Sequence, residues 1–338
     1  MNKQLKMQTP NEKTVRQICN LTGFHRVTAT VLANRGITSQ SQLSAFLNPS
    51  LSHIQSFETL VDMNKAVQRI TDAIVNKEKI LVFGDYDVDG ITSVTILYEF
   101  LTLTGANVSY YVPHRINEGY GLNSRQILDV AIPGKFNLIV TTDCGSASHE
   151  AVECANQSGI DVVITDHHTI SNSPPGAFAV INPRRNDCPS GSGYMAGVGV
   201  AFCLLISLRK HLRDINFWKG KHEPNLKAFC ELVALGTISD IVPLIKENRI
   251  MTKAGLDVIN TSPRTGIKAL VEACGINKPF IAFSMIVIRM IGLYIPLAWF
   301  ASSWIGLEGI FWAAFTANLI SGAIAYLVLF KKLRADHK

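Results

Sequence analysis

The chain has 338 residues, of which 47% are apolar and 17% are charged, and its formal net charge is +6. This apolar content excludes an intrinsically disordered chain, and the length suffices for about two domains. The charged fraction lies below the roughly 25% of an average soluble protein, yet it is too high for a polytopic membrane protein. Two regions of different character would explain such an average.

The charges are unevenly distributed. Residues 280–338 contain five basic and two acidic residues, and the remaining 279 residues carry a net charge of only +3. The composition therefore does not indicate a strongly basic nucleic-acid surface across the main body. Seven cysteines without CxxC spacing, and no N-terminal signal peptide before them, favour free thiols in a reducing cytoplasm and argue against a cysteine zinc site.

Residues 1–60 are polar and are predicted to be mainly helical, whereas short apolar runs alternate with helical segments from residue 80 onward. Continuous apolar strands separated by helices are typical of a parallel sheet covered on both faces, so the predicted fold class is α/β. The predicted strands are Ile80–Phe83, Val108–Val112, Leu138–Thr141, Val162–Thr165 and Ala179–Ile181. The predicted helices after residue 80 are 91–104, 151–157, 199–212, 225–237 and 267–274.

After Pro279 the sequence becomes almost entirely apolar. Residues 281–303 and 305–330 are each long enough to span a bilayer as a helix, which takes about 20 residues. Three basic residues follow the second segment, and this position would place both termini inside. The prediction is a two-helix transmembrane-like hairpin over 280–338, with a pair of buried helices in a large soluble core as the alternative.

The strongest chemical signal is the acidic segment Gly84–Gly90, which follows a predicted strand and begins a helix. Alternate residues of an extended segment share a face, so Asp85, Asp87 and Asp89 are predicted to project together. Three carboxylates this close cannot all remain ionised without a cation, and hard divalent metals prefer oxygen ligands. The alternative is solvated acids beside a helix N-cap, for which Asp89 is the candidate.

Acids and imidazoles occupy corresponding places later in the chain. Asp143 follows the third strand, the triplet Asp166-His167-His168 follows the fourth, and Asp240 ends a helical run. Because ligands bind at the carboxyl edge of a parallel sheet, these side chains are expected to meet there. Carboxylates with imidazole suit Mn²⁺, and Mg²⁺ or Zn²⁺ less selectively. The sequence therefore predicts a metal site.

Two ions about 3.5–4 Å apart could share a hydroxide and hold a phosphoryl oxygen. Such a site would hydrolyse a phosphate ester or anhydride without a covalent enzyme intermediate. A carboxylate between the two ions would fix their separation, and Asp143 is the candidate for this position.

These motifs resemble the four ordered motifs of the DHH phosphoesterase superfamily. Over about residues 15–278, further stretches resemble the RecJ family of single-stranded-DNA exonucleases. The resemblance implies Mn²⁺- or Mg²⁺-dependent 5′→3′ degradation of single-stranded DNA in repair and recombination, with two ions per site. Single-stranded-DNA-binding protein is an implied partner. The stretches are Asn34-Arg35-Gly36, Phe46–Pro49, Pro113–Arg115 with Glu118–Leu122, Ile181–Pro183 and Ala196–Phe202.

The resemblance also implies roles for individual residues. His168 would face the scissile phosphate, and Asp166 would support the histidines as a second catalytic residue. Arg115 would contact a phosphate, with a solvated loop arginine as the alternative. Gly197 and Gly199 would permit close approach of a helix or a ligand backbone. The implied metal ligands are Asp85, Asp87, Asp89, Asp143, His167 and Asp240, and the candidates for base stacking or plain packing are Tyr110, Tyr111 and Tyr120.

After the catalytic region the sequence departs from RecJ. No counterpart of the DHH-associated domain or of the OB-fold follows, and the segment from Arg289 to Asn318 resembles the last two transmembrane helices of a MATE-type multidrug transporter. We expect a fused or artefactual tail, joined near 278–284, that would tether the catalytic part to a membrane if it is inserted. The predicted domains are a helical region 1–60, a DHH catalytic domain 61–278 and the hydrophobic tail 280–338.

Four functions are compatible with these features. The first is a RecJ-like exonuclease weakened by truncation, and the second is an inactive truncated remnant. The third is a membrane-anchored DHH phosphodiesterase that acts on a signalling dinucleotide, and the fourth is a transporter fragment. The complete set of metal-site motifs favours the first.

Overall fold

The structure is a computed structural model that describes residues 9–54, 56–170, 173–273 and 288–336. The chain divides into two compact units, Met1–Ser262 (the first unit) and Pro263–Lys338 (the second unit). The predicted domain boundary near residue 279 lies outside the described residues.

The first unit is built on a five-stranded sheet in which all neighbouring strands are parallel. The predicted α/β class with a parallel sheet is confirmed, and the predicted strand ends differ from the observed ones by one residue at most. The strands are β1 (Lys79–Gly84), β2 (Asn107–Tyr111), β3 (Leu138–Thr142), β4 (Asp161–Thr165) and β5 (Ala179–Ile181), in the order β2-β1-β3-β4-β5.

Both faces of the sheet are buried along β1, β3, β4 and β5, which explains the mostly apolar sequences of these strands, whereas the edge strand β2 is partly exposed. Leu81 and Phe83 point to one face, where they join a core that includes Val152. Ile80 and Val82 alternate with them and are equally buried.

The helices of the first unit are α1 (Glu12–Thr22), α2 (Arg26–Asn34), α3 (Gln40–Leu47), α4 (Met63–Val75), α5 (Val88–Thr104), α6 (Ser124–Gln126), α7 (His149–Gln157), α8 (Gly197–Asp214), α9 (Cys230–Ser239) and α10 (Lys246–Thr261), with 3-10 turns at Leu51–His53 and Leu226–Phe229 and a π-helical turn at Ile127–Ala131.

The strand order places the acidic motifs at one edge. β2 lies on one side of β1 and β3 lies on the other, so the chain reverses its direction across the sheet between them. Gly84 pairs with Thr142, and Thr142 pairs with Thr165, so the residues that follow β1, β3 and β4 leave the sheet side by side. Parallel sheets bind ligands at such reversal points.

Three helices of the first unit were not predicted, namely α4, the short α6 and α10. The sequence of α10 has Gly255 near its middle, which disfavours a helix by propensity. In the structure Gly255 lies against the backbone of Cys230 in α9, where a Cβ atom would clash with the carbonyl oxygen. Close packing between helices therefore overrides the local propensity.

The second unit contains α11 (Thr265–Ala273), a π-helical segment (Ile288–Tyr294), α12 (Ile295–Ile305) and α13 (Leu307–Asp336). α12 has 11 residues and is about 16 Å long, against the roughly 30 Å of a bilayer core. It ends at Gly306, which has a φ of 63°.

The predicted transmembrane hairpin is not supported by the structure. Across the described ranges, no helix combines the length and the apolar character needed to cross a membrane. Residues 281–287 of the first predicted span lie outside the described residues.

Candidate metal centre

The first two acids of the Gly84–Gly90 segment hold positions set by the end of β1. Asp85 is buried, with 3% of its surface exposed, and its carboxylate accepts a hydrogen bond from the Tyr86 amide at 2.7 Å. Asp87 is the N-cap of α5 and accepts from the Gly90 amide at 2.9 Å. The sequence predicts this cap at Asp89, so the assignment is corrected to Asp87.

Asp89 does not share a face with the other two acids, because the chain is helical from Val88 onward and the alternation of an extended segment ends there. Its buried carboxylate instead accepts hydrogen bonds from the amides of Gly197 at 2.7 Å and Val198 at 2.9 Å. Asp89 therefore satisfies the first turn of α8, a helix that lies more than 100 residues further along the chain.

Asp143 follows β3 in the left-handed conformation, with a φ of 58° that aspartate tolerates better than most residues. Its Oδ1 atom is buried and accepts no hydrogen bond within the described part of the chain, although His167 Nε2 lies 3.1 Å away. Two ligand atoms that face each other in this way can share a cation.

The two predicted glycines of α8 differ in their surroundings. A Cβ atom on Gly197 would lie 2.7 Å from both Cβ and Cγ of Asp143, so only glycine fits there. A Cβ atom on Gly199 would lie 3.6 Å from Met251 and 3.7 Å from Asn248, which is ordinary contact. Among the described residues, no neighbour approaches Gly199 closely enough to require glycine, and the close approach of a ligand backbone stays a prediction.

His167 is buried beside three of the predicted acids. Its Nδ1 atom lies 3.0 Å from the Met195 carbonyl oxygen and 3.7 Å from Asp240 Oδ2. Its Nε2 atom lies 3.9 Å from Asp89 Oδ2. The ring therefore lies between Asp143, Asp89 and Asp240.

Asp166 is almost completely buried and serves the two histidines that follow it. Its carboxylate accepts from the amides of His167 at 2.7 Å and His168 at 3.0 Å, and His168 Nδ1 lies 2.8 Å away. The Ser146 amide donates at 2.9 Å. Burial raises the pKa of Asp166, but the interactions with His168 and Ser146 prevail and hold it at about 2.

The His168 ring is about half exposed and has partners that the sequence did not reveal. The Tyr120 hydroxyl lies 3.1 Å from His168 Nδ1 and donates to the Asp143 carbonyl oxygen at 3.3 Å. The Asn182 side chain donates to the His168 carbonyl oxygen at 2.9 Å. Both residues occur in stretches that carry the RecJ resemblance, and Tyr120 is also one of the predicted candidates for base stacking or packing.

Arg115 lies outside the ligand groups. It is exposed, and its guanidinium carbon is 5.3 Å from the ring centroid of Tyr86. Tyr111 stacks on Phe83, and Tyr110 is 59% exposed. The structure therefore brings together the acids and histidines of the prediction, and the charge of Arg115 acts on Asp85, where it opposes the rise in pKa.

The ligand atoms form three groups, in each of which all of them lie within 4.8 Å of one another. Burial raises the pKa of Asp85, Asp89 and Asp143, and neighbouring carboxylates add to this effect. Buried carboxylates without countercharges are costly, and divalent cations would supply the charge. The groups are an open group (Asp85, Asp87, Asp143), an enclosed group (Asp89, His167, Asp240) and a linking group (Asp143, His167, His168).

Residues 79–237 match the model of the DHH family, N-terminal domain. The chain is 40% identical over 244 residues to the single-stranded-DNA-specific exonuclease RecJ of Dickeya dadantii, an alignment that covers 71% of this chain and 42% of that protein. The chain therefore spans less than half the length of this curated relative.

Two solved structures of RecJ from Thermus thermophilus are also similar, each at 26% identity. The complex with Mn²⁺ superposes with a TM-score of 0.65 over 95% of this chain and 44% of that one. The complex with Mg²⁺ superposes with a TM-score of 0.52 over 79% of this chain and 33% of that one.

Proposed function

Because residues 79–237 carry the DHH fold, we propose that this chain hydrolyses phosphodiester bonds of single-stranded DNA with divalent cations. The observation that carries the proposal is the pair of ligand groups at one sheet edge, joined through Asp143 and His167. We assign the activity to the predicted catalytic domain, residues 61–278.

Mn²⁺ or Mg²⁺ suits this set of donors, since both prefer carboxylate oxygens and Mn²⁺ also accepts imidazole. The open and enclosed groups would each hold one ion, and Asp143 lies where it could serve both. The similar structures with Mn²⁺ and Mg²⁺ support this choice of metals. Bound cations would supply Lewis-acid polarisation of the scissile phosphate and a water of lowered pKa.

The protein's own contribution centres on His168. Asp166 lies 2.8 Å from His168 Nδ1, which places the proton on that nitrogen and fixes the orientation of the ring. The exposed part of the ring is then free to meet a phosphate oxygen or the leaving group. Tyr120 and Asn182 restrict the same residue from two further directions. We infer that these contacts position His168 before the substrate binds.

The proposed substrate class rests on the similarity of this chain to the curated RecJ relative. The curated relative is named for single-stranded DNA, and the RecJ resemblance implies that degradation proceeds 5′→3′. The oxygen-rich site suits a phosphodiester in general, so DNA, RNA and a cyclic dinucleotide are compared directly in the test.

The test compares wild type with Asp143→Asn on single-stranded DNA labelled at either end, in Mn²⁺, in Mg²⁺ and in EDTA. Asparagine keeps the shape and tolerates the left-handed backbone, so a loss of activity reports the lost charge. We expect nucleotides to be released from the 5′ end only with metal, and the variant to be slower by more than about 100-fold. The matched control is Asp129→Asn, an exposed acid on the π-helical turn.

Equal rates for wild type and Asp143→Asn would exclude this site as the source of any hydrolysis. Faster turnover of a cyclic dinucleotide than of an oligonucleotide would assign the site to signalling dinucleotides instead. Circular dichroism of each variant confirms that the fold is retained before rates are compared.

A further inference from the structure

The first unit contains a second concave surface, a cleft of about 910 Å³ between the N-terminal helices and the start of α10. None of the metal-ligand residues lines it. We call it the basic cleft, and its polar and aromatic lining includes Arg35, Phe46, His53, Lys246, Glu247 and Arg249.

The charged residues of this cleft, which lie among apolar ones, are mostly basic. Arg35, Lys246 and Arg249 line it, and among the described lining residues the single carboxylate is Glu247. That carboxylate accepts a hydrogen bond from the Tyr194 hydroxyl, so it is already engaged. The cleft therefore has three cations and one anion, an excess of positive charge.

Arg249 is held in place as a rigid donor. Its Nε atom donates to the Phe46 carbonyl oxygen at 2.7 Å, and its guanidinium carbon lies 3.6 Å from the Phe46 ring centroid. Within the described ranges its two terminal nitrogens have no hydrogen-bond partner. A fixed planar guanidinium with free terminal donors is suited to a phosphate.

Arg35 reinforces this interpretation, because its guanidinium lies close enough to that of Arg249 for the two charges to repel each other. Burial and the charge of Arg35 both lower the pKa of Arg249. Like charges in one cleft are unfavourable unless an anion lies between them, so the arrangement favours an anionic occupant.

The basic cleft lies near the metal centre along the chain, because Leu244 of its lining follows Asp240 of the enclosed group by four residues. The Met195 carbonyl oxygen contacts His167 of the enclosed group, and the Tyr194 carbonyl oxygen accepts from Asn248 of α10 at 2.8 Å. A chain of anions with one end at the metal centre could therefore extend into the cleft.

We propose that the basic cleft binds the backbone phosphates of a single-stranded nucleic acid. The inference rests on the proposed function for its choice of ligand, since a phosphodiester chain is the anion that the neighbouring site would process. An acidic peptide would satisfy the same charges, but it has no reason to extend from a phosphodiester site.

The test measures binding of an unlabelled dinucleotide and of a fluorescent oligothymidylate in EDTA, where hydrolysis is absent. Arg35→Glu and Lys246→Glu are suitable variants because both side chains are exposed. We expect each to weaken binding of the oligothymidylate several-fold and to leave the dinucleotide unaffected. The slope of log Kd against log salt should fall by about 0.7 for each lost phosphate contact. The matched control is Lys13→Glu on α1, an exposed lysine outside the cleft.

Equal oligothymidylate affinity for wild type and both cleft variants would overturn the proposal, whatever the hydrolysis assay gives. A competition experiment gives a second way to overturn it. If polyglutamate displaces the oligothymidylate at a lower concentration than unlabelled DNA does, the cleft selects an acidic peptide. If both variants weaken binding while no preparation hydrolyses DNA with metal, the cleft is supported and the proposed function fails.

Discussion

The open and enclosed groups lie side by side, yet the protein holds them differently. Asp85 and Asp87 of the open group bond only to amides of their own segment. In the enclosed group, Asp89 bonds to the first turn of α8, and His167 contacts a distant carbonyl. The enclosed group therefore joins distant elements of the fold, whereas the structural role of the open group is local, namely the cap that Asp87 provides for α5. Substitutions should separate these two roles.

The largest effect on stability is expected for Asp89→Ala. Removing this carboxylate leaves the buried amides of Gly197 and Val198 without an acceptor, at roughly 1–3 kcal/mol each. We expect unfolding in urea, with EDTA present, to require about 3 kcal/mol less than in wild type. Asp89→Asn keeps one acceptor oxygen and should lose less.

A loss below about 1 kcal/mol for Asp89→Ala would mean that water or a rearranged backbone replaces the acceptor. The enclosed group would then be no more structural than the open one, and the comparison between them would fail.

Gly197 contacts both groups. Its amide donates a hydrogen bond to Asp89 of the enclosed group, and its Cα packs against Asp143 of the open group. Gly197→Ala changes only the second contact. The added methyl group must displace the Asp143 carboxylate, and a displacement of about 1 Å can cost 100-fold in rate. We therefore expect kcat/KM on single-stranded DNA to fall by about 100-fold. The fold should be retained.

Gly199→Ala is the matched control for this substitution. It lies in the same helix, has room for a methyl group, and should gain up to about 1 kcal/mol of stability from helix propensity. If both alanine variants reduce activity equally, the effect comes from α8 as a whole and not from contact with Asp143.

These contrasts show what the sequence could predict. The strands were identified because a sheet buried on both faces requires continuous apolar runs, and Asp143 and Asp166 were placed because parallel strands end at one edge. Asp89 was predicted to lie on the same face as Asp85 and Asp87 because the segment was treated as extended. The helix α5 already begins at Val88, so side chains no longer alternate every two residues there. α10 was missed because Gly255 weakens its helix signal, and the close contact that this glycine makes with α9 is a tertiary feature.

Partnerships between distant loops were the least predictable feature. Tyr120 lies in a loop and meets His168 only because the sheet brings the two segments together. Neither the spacing of residues nor the composition of the chain predicts a contact between two distant loops. The basic cleft is of the same kind, because Arg35 and Arg249 are more than 200 residues apart and the net charge of the main body is small.

A smaller effect is expected for Asp85→Asn in the open group. Burial raises the pKa of Asp85, so the folded state prefers the protonated form. In metal-free wild type the stability from this protonation is present below the unfolded pKa and is lost as the pH rises through the folded pKa. Asparagine is neutral throughout, so in EDTA at neutral pH the variant should be more stable than wild type.

Mn²⁺ should reverse this order, because it stabilises the charged carboxylate of wild type and finds one ligand fewer in the variant. Thermal unfolding across pH, with EDTA and with Mn²⁺, measures both effects. A variant that is less stable than wild type in EDTA would show that Asp85 has a structural duty and would remove the distinction between the groups.

The smallest effect is expected for Tyr120→Phe, which removes the hydroxyl that meets His168 and the Asp143 carbonyl oxygen but leaves the ring. The loss of one such hydrogen bond is worth about 1 kcal/mol, so kcat should fall about fivefold. KM should change little, because the contact orients a residue of the protein. Tyr110→Phe is the control, since its exposed ring lies against Tyr98. A fall confined to KM would instead place Tyr120 on the substrate, as a stacking platform, and His168 would then be oriented by Asp166 and Asn182 alone.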